Sequence, residues 1–339
     1  MILSIQYLRA IAVMLVVFSH TIWKNIQTDG STLHWWHHAG TFGVDIFFII
    51  SGFIMVFITQ KIHQEPKTVQ TFLKKRFIRI VPLYWFYSII ALTIFLLIPE
   101  KINSGGGETE ILKSFFLLPL NIDEKYLVGV GWTLHYEFLF YILFSFGLFF
   151  IRVWGNILVA LLLILSITSS FFLPNEGVNY LFYNFLNVIF IEFLLGIFLY
   201  HILEKIPRIH WLISLFLLSL SLWLFISIFN DKSFTGIHRI DAGLTAFIIS
   251  FSIISLESIW KKREVKFLSK IGDASYSTYL LHPFVLAAIA ILSNKFSGFL
   301  PKNEYFLIIL MFTTSIFVGY LAHLWIEKPL IRGVKKILY

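Results

Sequence analysis

Long apolar stretches alternate with short polar segments along the whole chain. Ten of them are about 18 to 23 residues long, enough for each to cross a bilayer as a helix. The pattern predicts an all-α, polytopic integral membrane helix bundle of about ten transmembrane helices, forming one domain over 1–339. In chain order, the predicted spans cover about 5–23, 41–59, 78–98, 132–152, 156–173, 181–202, 210–229, 238–257, 274–293 and 304–326.

The basic residues predict how these spans are oriented. If both termini lie on one side of the membrane, 19 of the 27 Lys and Arg residues fall on that side. Positively charged residues concentrate on the cytoplasmic side of membrane proteins. We therefore predict that both termini lie in the cytoplasm.

Composition agrees with a membrane protein and excludes several kinds of chemistry. The chain is 58% hydrophobic and 14% charged, with a mean hydropathy of +0.82. A soluble chain of this length needs a more polar surface. The absence of cysteine excludes disulfides, thiolate metal sites and an acyl-cysteine intermediate. We expect no metal, and no nucleic acid, because the net charge of +8 lies mainly beside the predicted spans.

Two ionisable residues interrupt the first span. Arg9 and His20 are eleven positions apart, which places both on one helix face, about 16 Å apart along the axis. Such groups within a membrane helix usually mark a polar interior path. The alternative is that Arg9 reaches the interface as a topology anchor and that His20 is interfacial.

Two carboxylates are predicted at the depth of His20. Asp45 in the second span and Glu137 in the fourth each lie one to two turns below the outer face. A carboxylate on one ring nitrogen would orient the imidazole and leave the other nitrogen as a base. Interhelical hydrogen bonding and a proton relay are the alternatives left open.

A group of arginines is predicted at the inner face. Arg76 and Arg79 lie on one face of the third span, at the predicted depth of Arg9. Three guanidinium groups would form a site for a phosphate-sized anion. The alternative is an ordinary positive-inside cluster. His282, mid-membrane in the ninth span, is by itself best interpreted as a satisfied interior group.

Together these motifs resemble the acyltransferase 3 family of bacterial membrane O-acyltransferases, and most closely its exopolysaccharide-acetylating branch. The resemblance extends over the whole chain, in order. Its motifs are Arg9 with His20; Gly43-Val-Asp45-Ile-Phe-Phe with Ser51-Gly52-Phe53; Arg76-Phe-Ile-Arg79-Ile-Val-Pro82; Trp132-Thr-Leu-His135-Tyr-Glu137; Ser275-Tyr276 with His282-Pro283; and Glu327-Lys-Pro329.

The resemblance implies an acyl-CoA donor, commonly acetyl-CoA, and a hydroxyl of a surface polysaccharide or its lipid-linked precursor as acceptor. His20 would act as general base or as transient acyl carrier. The implied donor-binding residues are Arg9, Arg76 and Arg79. The implied catalytic residues are His20, Asp45 and Glu137. The implied substrate-binding residues are Trp132, His135, Tyr276 and His282.

Other functions remain open at this stage. A proton-coupled transporter or glycan exporter would also carry His, Asp and Glu within its spans, although no inverted repeat is detectable. A structural partner of a polysaccharide synthase is a third possibility. A homodimer and a complex with synthesis machinery are both compatible with the chain. No esterase-like domain is expected after the tenth span, unlike the members that modify peptidoglycan.

Overall fold

The computed structural model describes residues 2–29, 39–61, 66–99, 107–121, 123–172, 184–206, 209–229, 238–295 and 303–338. Within these residues the protein is helical, apart from two short paired strands. The helices are α1 (Leu3–Asp29), α2 (Ala39–Thr59), α3 (Pro66–Leu97), α4 (Ile111–Phe116), α5 (Gly131–Gly147), α6 (Arg152–Phe172), α7 (Phe190–Lys205), α8 (Trp211–Phe229), α9 (His238–Ser255), α10 (Glu257–Lys262), α11 (Lys266–Lys295), α12 (Glu304–Ala322) and α13 (Lys328–Leu338). A π-helical turn, His323–Glu327, joins α12 to α13.

The all-α prediction is confirmed. Seven helical stretches of the described chain are long and apolar enough to cross a membrane: Leu3–Lys24, Gly40–Thr59, Lys67–Leu97, Arg152–Phe172, Trp211–Ile228, Lys266–Lys295 and Glu304–Leu338. Helices α5, α7 and α9, with 17, 16 and 18 residues, overlap the other three predicted spans. Helix α5 begins one residue before its span, and α7 ends three residues after its span. Residues 173 and 181–183 of the predicted spans lie outside the described residues. Which helices cross the bilayer, and in which direction, stays a prediction.

The chain folds into two compact units. The first comprises 1–50 and 198–327, and the second comprises 51–197 and 328–339. The one-domain organisation remains a prediction, and each unit is described by itself below.

The core of the first unit lies where α1, α11 and α12 pack against one another. Two glycines permit this close packing. A Cβ atom at Gly272 of α11 would overlap the backbone carbonyl of Gln6, and one at Gly319 of α12 would overlap Thr278. The start of α1 is fixed by Glu257, whose carboxylate accepts hydrogen bonds from the first backbone N–H groups of the helix.

In the second unit, α5 packs against α3 and α6, and α13 packs against α3. The strands β1 (Glu108–Thr109) and β2 (Glu124–Lys125) pair in parallel within the predicted outer segment. Lys113 and Asn121 donate hydrogen bonds to the carboxylate of Glu124. Burial would by itself raise the pKa of Glu124, but these hydrogen bonds lower it below its usual value.

Candidate active site

The imidazole of His20 is held by its own helix. Its Nδ1 lies 2.9 Å from the carbonyl oxygen of Val16, one turn earlier in α1. Because a carbonyl oxygen only accepts hydrogen bonds, Nδ1 carries the proton in the neutral ring. Nε2 then keeps its lone pair. This is the tautomer that a general base or a nucleophile needs.

A second imidazole lies against that of His20. The ring of His282 from α11 has its centroid 4.9 Å from the ring centroid of His20, at 53°. His282 is fully buried, and its Nδ1 lies 3.3 Å from the carbonyl oxygen of Thr278. Its Nε2 is buried and has no hydrogen-bond partner among the described residues. The interpretation of His282 as a fully satisfied interior group is therefore wrong, since only one of its ring nitrogens is paired.

Asp45 has a different partner from the one predicted. Its buried carboxylate lies 3.5 Å from Nη2 of Arg239 in α9. The hydrogen bond of His20 Nδ1 involves the Val16 carbonyl, and an orienting role of Asp45 toward His20 stays a prediction. Arg239 provides a permanent cation, which neutralises a buried carboxylate better than a neutral imidazole does.

Arg9 and Tyr276 are the other predicted site residues of the first unit. Arg9 is half-buried, and its Nη1 lies 3.5 Å from the side-chain oxygen of Gln6. Tyr276 is half-buried on α11. The contact of Gln6 with Gly272 and that of His20 with His282 show that α1 and α11 run in the same direction. The part of α1 between Gln6 and His20 therefore runs alongside α11.

In the second unit, Glu137 belongs to a polar cluster. Its Oε1 accepts hydrogen bonds from Ser51, at 2.9 Å, and from the hydroxyl of Tyr141. The guanidinium of Arg76 lies 5.9 Å from the ring centroids of Tyr141 and Phe72. Glu137 is thus fixed by neutral donors, and the Arg76 cation lies near the ring of Tyr141, one of those donors.

Arg79 and two predicted substrate-binding residues complete this unit. Arg79 is half-buried on α3. His135 is buried, and its Nδ1 lies 2.7 Å from the carbonyl oxygen of Leu117, the only non-glycine residue of the described chain with positive φ. His135 therefore fixes an unusual backbone turn. Trp132 is 37% exposed at the start of α5, with its ring edge against Tyr136.

A buried histidine–carboxylate pair occurs where the sequence analysis did not predict one. His323 Nδ1 lies 2.7 Å from Oε2 of Glu327, and the same oxygen accepts a 2.8 Å hydrogen bond from Ser277. All three side chains are buried. The i, i+4 spacing of His323 and Glu327 was a signal for this contact. The described residues contain no group of three or more His, Asp or Glu side chains placed to hold a metal.

Comparison with known proteins identifies the family. The acyltransferase domain model of acyltransferase 3 matches residues 2–326, nearly the whole chain. The chain belongs to the acyltransferase 3 family. The predicted resemblance is confirmed, and this acyltransferase 3 protein is a multi-pass membrane acyltransferase.

Two curated relatives agree with this assignment. The acyltransferase 3 protein is 28% identical over 306 residues to the exopolysaccharide production protein ExoZ of Rhizobium meliloti (strain 1021), covering 87% of this chain and 92% of the relative. It is 26% identical over 149 residues to the acyltransferase MdmB of Streptomyces mycarofaciens, covering 42% of this chain and 38% of the relative. No solved structure matches the chain.

Proposed function

We propose that this acyltransferase transfers an acetyl group from cytoplasmic acetyl-CoA to a hydroxyl of an extracellular polysaccharide or of its lipid-linked precursor. The family supports acyl transfer. The similarity to a relative named for exopolysaccharide production supports a polysaccharide acceptor. Location in the bacterial inner membrane follows from the predicted topology and this acceptor.

The observation that carries the mechanism is the hydrogen bond between His20 Nδ1 and the Val16 carbonyl. With Nδ1 protonated, Nε2 removes the proton of the acceptor hydroxyl as its oxygen attacks the thioester carbonyl. The C–S bond then breaks, and the imidazolium returns the proton to the CoA thiolate. Atoms and charge balance without a metal or a further reactant. Attack by Nε2 itself, giving a transient acyl-histidine, uses the same tautomer.

His282, which α11 places against His20, supports this assignment. Its unpaired, buried Nε2 would bind the acceptor hydroxyl beside His20, which gives His282 the predicted role in substrate binding. Tyr276, one and a half turns earlier on α11, is assigned to the same substrate path. Trp132 would stack on a sugar ring from its exposed position. His135 keeps its predicted substrate role through Nε2, the nitrogen that does not fix the Leu117 turn.

The three arginines are assigned to binding of the acetyl-CoA donor. Arg9 in the first unit and Arg76 and Arg79 in the second would each bind CoA phosphates, because a guanidinium group matches phosphate geometry. The two carboxylates act indirectly, by fixing other side chains. Asp45 fixes Arg239, and Glu137 fixes the ring of Tyr141 beside Arg76.

The test is to incubate the purified protein with acetyl-labelled acetyl-CoA and glycans extracted from the host. The expected result is alkali-labile label on the glycan, with one CoA released per acetyl group transferred. A proton-coupled transporter predicts glycan or proton flux in vesicles without CoA release. Flux without CoA release would therefore refute the proposal in favour of transport.

A further inference from the structure

The helix α13 has two sharply different faces. It is an 11-residue helix without acidic residues. Positions that share one face are apolar, and positions on the other are basic. The apolar residues are Leu330, Ile331, Val334, Ile337 and Leu338. The basic residues are Lys328, Arg332, Lys335 and Lys336.

The C-terminal end of the apolar face is exposed, and its other three residues are half-buried. None of the residues of α13 is buried. Ile337 is 83% exposed and Leu338 is 37% exposed, although α13 packs against α3 in the same unit. At about 1.5 Å per residue the helix is only about 16 Å long, so it cannot itself cross a bilayer.

Its neighbour α3 adds further positive charge. Lys74 donates a hydrogen bond to the carbonyl oxygen of Leu338, which fixes the end of α13. Lys67 and Lys75 of α3 are exposed nearby along the chain. The surface formed by α13 and the first turns of α3 is therefore strongly cationic, and it lies on the side that the charge distribution predicts to be cytoplasmic.

We propose that α13 lies in the head-group region of the cytoplasmic leaflet and binds anionic phospholipids. The apolar face, including Ile337, inserts at the boundary of the acyl chains. Lys335, Lys336 and Arg332 bind the lipid phosphates. An amphipathic helix with basic residues opposite an apolar face binds membranes through both contributions together. Because acyl transfer takes no part in this argument, the proposal is independent of the proposed function.

The chain contains no cysteine, so site-directed spin labels can be placed without background. A spin label is attached to the full-length protein at Ile337→Cys or, as a control on the opposite face, at Lys335→Cys. Each labelled protein is placed in phosphatidylcholine nanodiscs with and without phosphatidylglycerol. We expect the label at 337 to be accessible to oxygen and protected from a water-soluble nickel complex, and the label at 335 to show the reverse. The difference in accessibility between the two labels should be greater when phosphatidylglycerol is present.

Two results would overturn the membrane position. Equal nickel accessibility at both sites would show that the helix projects into water. A label at 337 that is protected from both oxygen and nickel would show that a second copy or another protein segment covers this face.

Charge reversal tests the lipid preference. Lys335→Glu/Lys336→Glu should weaken phosphatidylglycerol binding, measured by native mass spectrometry, at least about fivefold, because each basic residue near an anionic surface contributes attraction. The control is Lys125→Glu/Lys295→Glu, which changes the net charge equally at two exposed positions on the predicted outer side. Specific binding by α13 would be refuted if both double variants lost phosphatidylglycerol binding equally. It would also be refuted if Lys335→Glu/Lys336→Glu lost none.

Discussion

Replacing His20 by alanine tests the proposed chemistry most directly. The substitution removes Nε2 and the hydrogen bond from Nδ1 to Val16. Loss of such a neutral hydrogen bond costs about 0.5–1.5 kcal/mol of stability. The Val16 carbonyl still accepts the backbone hydrogen bond of the helix, so the substitution leaves no buried acceptor unpaired. We therefore expect a folded, membrane-inserted protein.

The expected loss of activity is larger than this loss of stability. Losing a positioned acid–base group lowers the rate at least about 10²-fold, or about 2.7 kcal/mol in the activation barrier. CoA affinity should be unchanged, because the donor arginines are intact. Acetyl transfer and CoA binding are measured on the same purified sample. Because His282 remains against position 20, a residual rate above background is compatible with the proposal.

The matched control is His201→Ala. His201 is a half-exposed histidine on α7 whose Nδ1 lies 3.6 Å from Glu204, and it belongs to neither proposed binding group. This variant should retain full transfer activity. Normal turnover by a well-folded His20→Ala protein would refute the catalytic assignment. Loss of CoA binding together with activity would instead assign His20 to donor binding.

The other predictions concern the donor, the packing and the outer segment. Arg76→Ala and Arg79→Ala should each weaken CoA binding by about 1–3 kcal/mol in calorimetry, and lysine should restore only part of it. Gly272→Ala should lower unfolding free energy by about 1–3 kcal/mol in thermal or denaturant unfolding, because its Cβ would overlap a backbone carbonyl of α1. Gly333→Ala should not lower the unfolding free energy, because its added Cβ would lie in open space. The depressed pKa of Glu124 predicts that the outer segment loses stability as the pH falls below about 4, seen as lower amide-exchange protection factors, corrected for the intrinsic rate at each pH, in 107–121.

Each of these has an outcome that contradicts it. Unchanged CoA affinity in both arginine variants would leave them as topology anchors. Equal stability of the two glycine variants would show that the contact of α1 with α11 tolerates an added methyl group. Protection factors in the outer segment that do not change on acidification would show that the Glu124 hydrogen bonds contribute little to its stability.

Helix positions were largely predictable because they depend on local composition. An apolar run of about twenty residues has few alternatives to a helix in a membrane. The segment before α5 was not predictable in the same way. Leu117 is left-handed and ends α4, and its carbonyl oxygen is bonded to the imidazole of His135, 18 positions later in the chain, a contact that no local pattern marks.

The site was predictable in its residues but less so in its pairings. The spacing of Arg9 and His20 predicted a polar face on α1, and His20 lies against His282 of α11. That Asp45 would contact Arg239 was not predicted, although both lie near predicted outer ends of their spans and carry opposite charges. The depth of a residue in the membrane can be predicted from the hydropathy of its span. The rotation of each helix about its axis, which decides the contacts, is set by packing such as that of Gly272 on α1.

Two of the buried carboxylates of the first unit, Asp45 and Glu327, show what decides such pairings. Asp45 lies near a permanent cation, and its charge is neutralised there. Glu327 instead pairs with a histidine on its own π-helical turn and with Ser277. A buried histidine–carboxylate pair thus exists at His323, whereas Nδ1 of His20 is bonded to a backbone carbonyl. That contact orients the ring of His20 and leaves the lone pair on Nε2 in the neutral tautomer. In the proposed mechanism this lone pair accepts the proton of the acceptor hydroxyl.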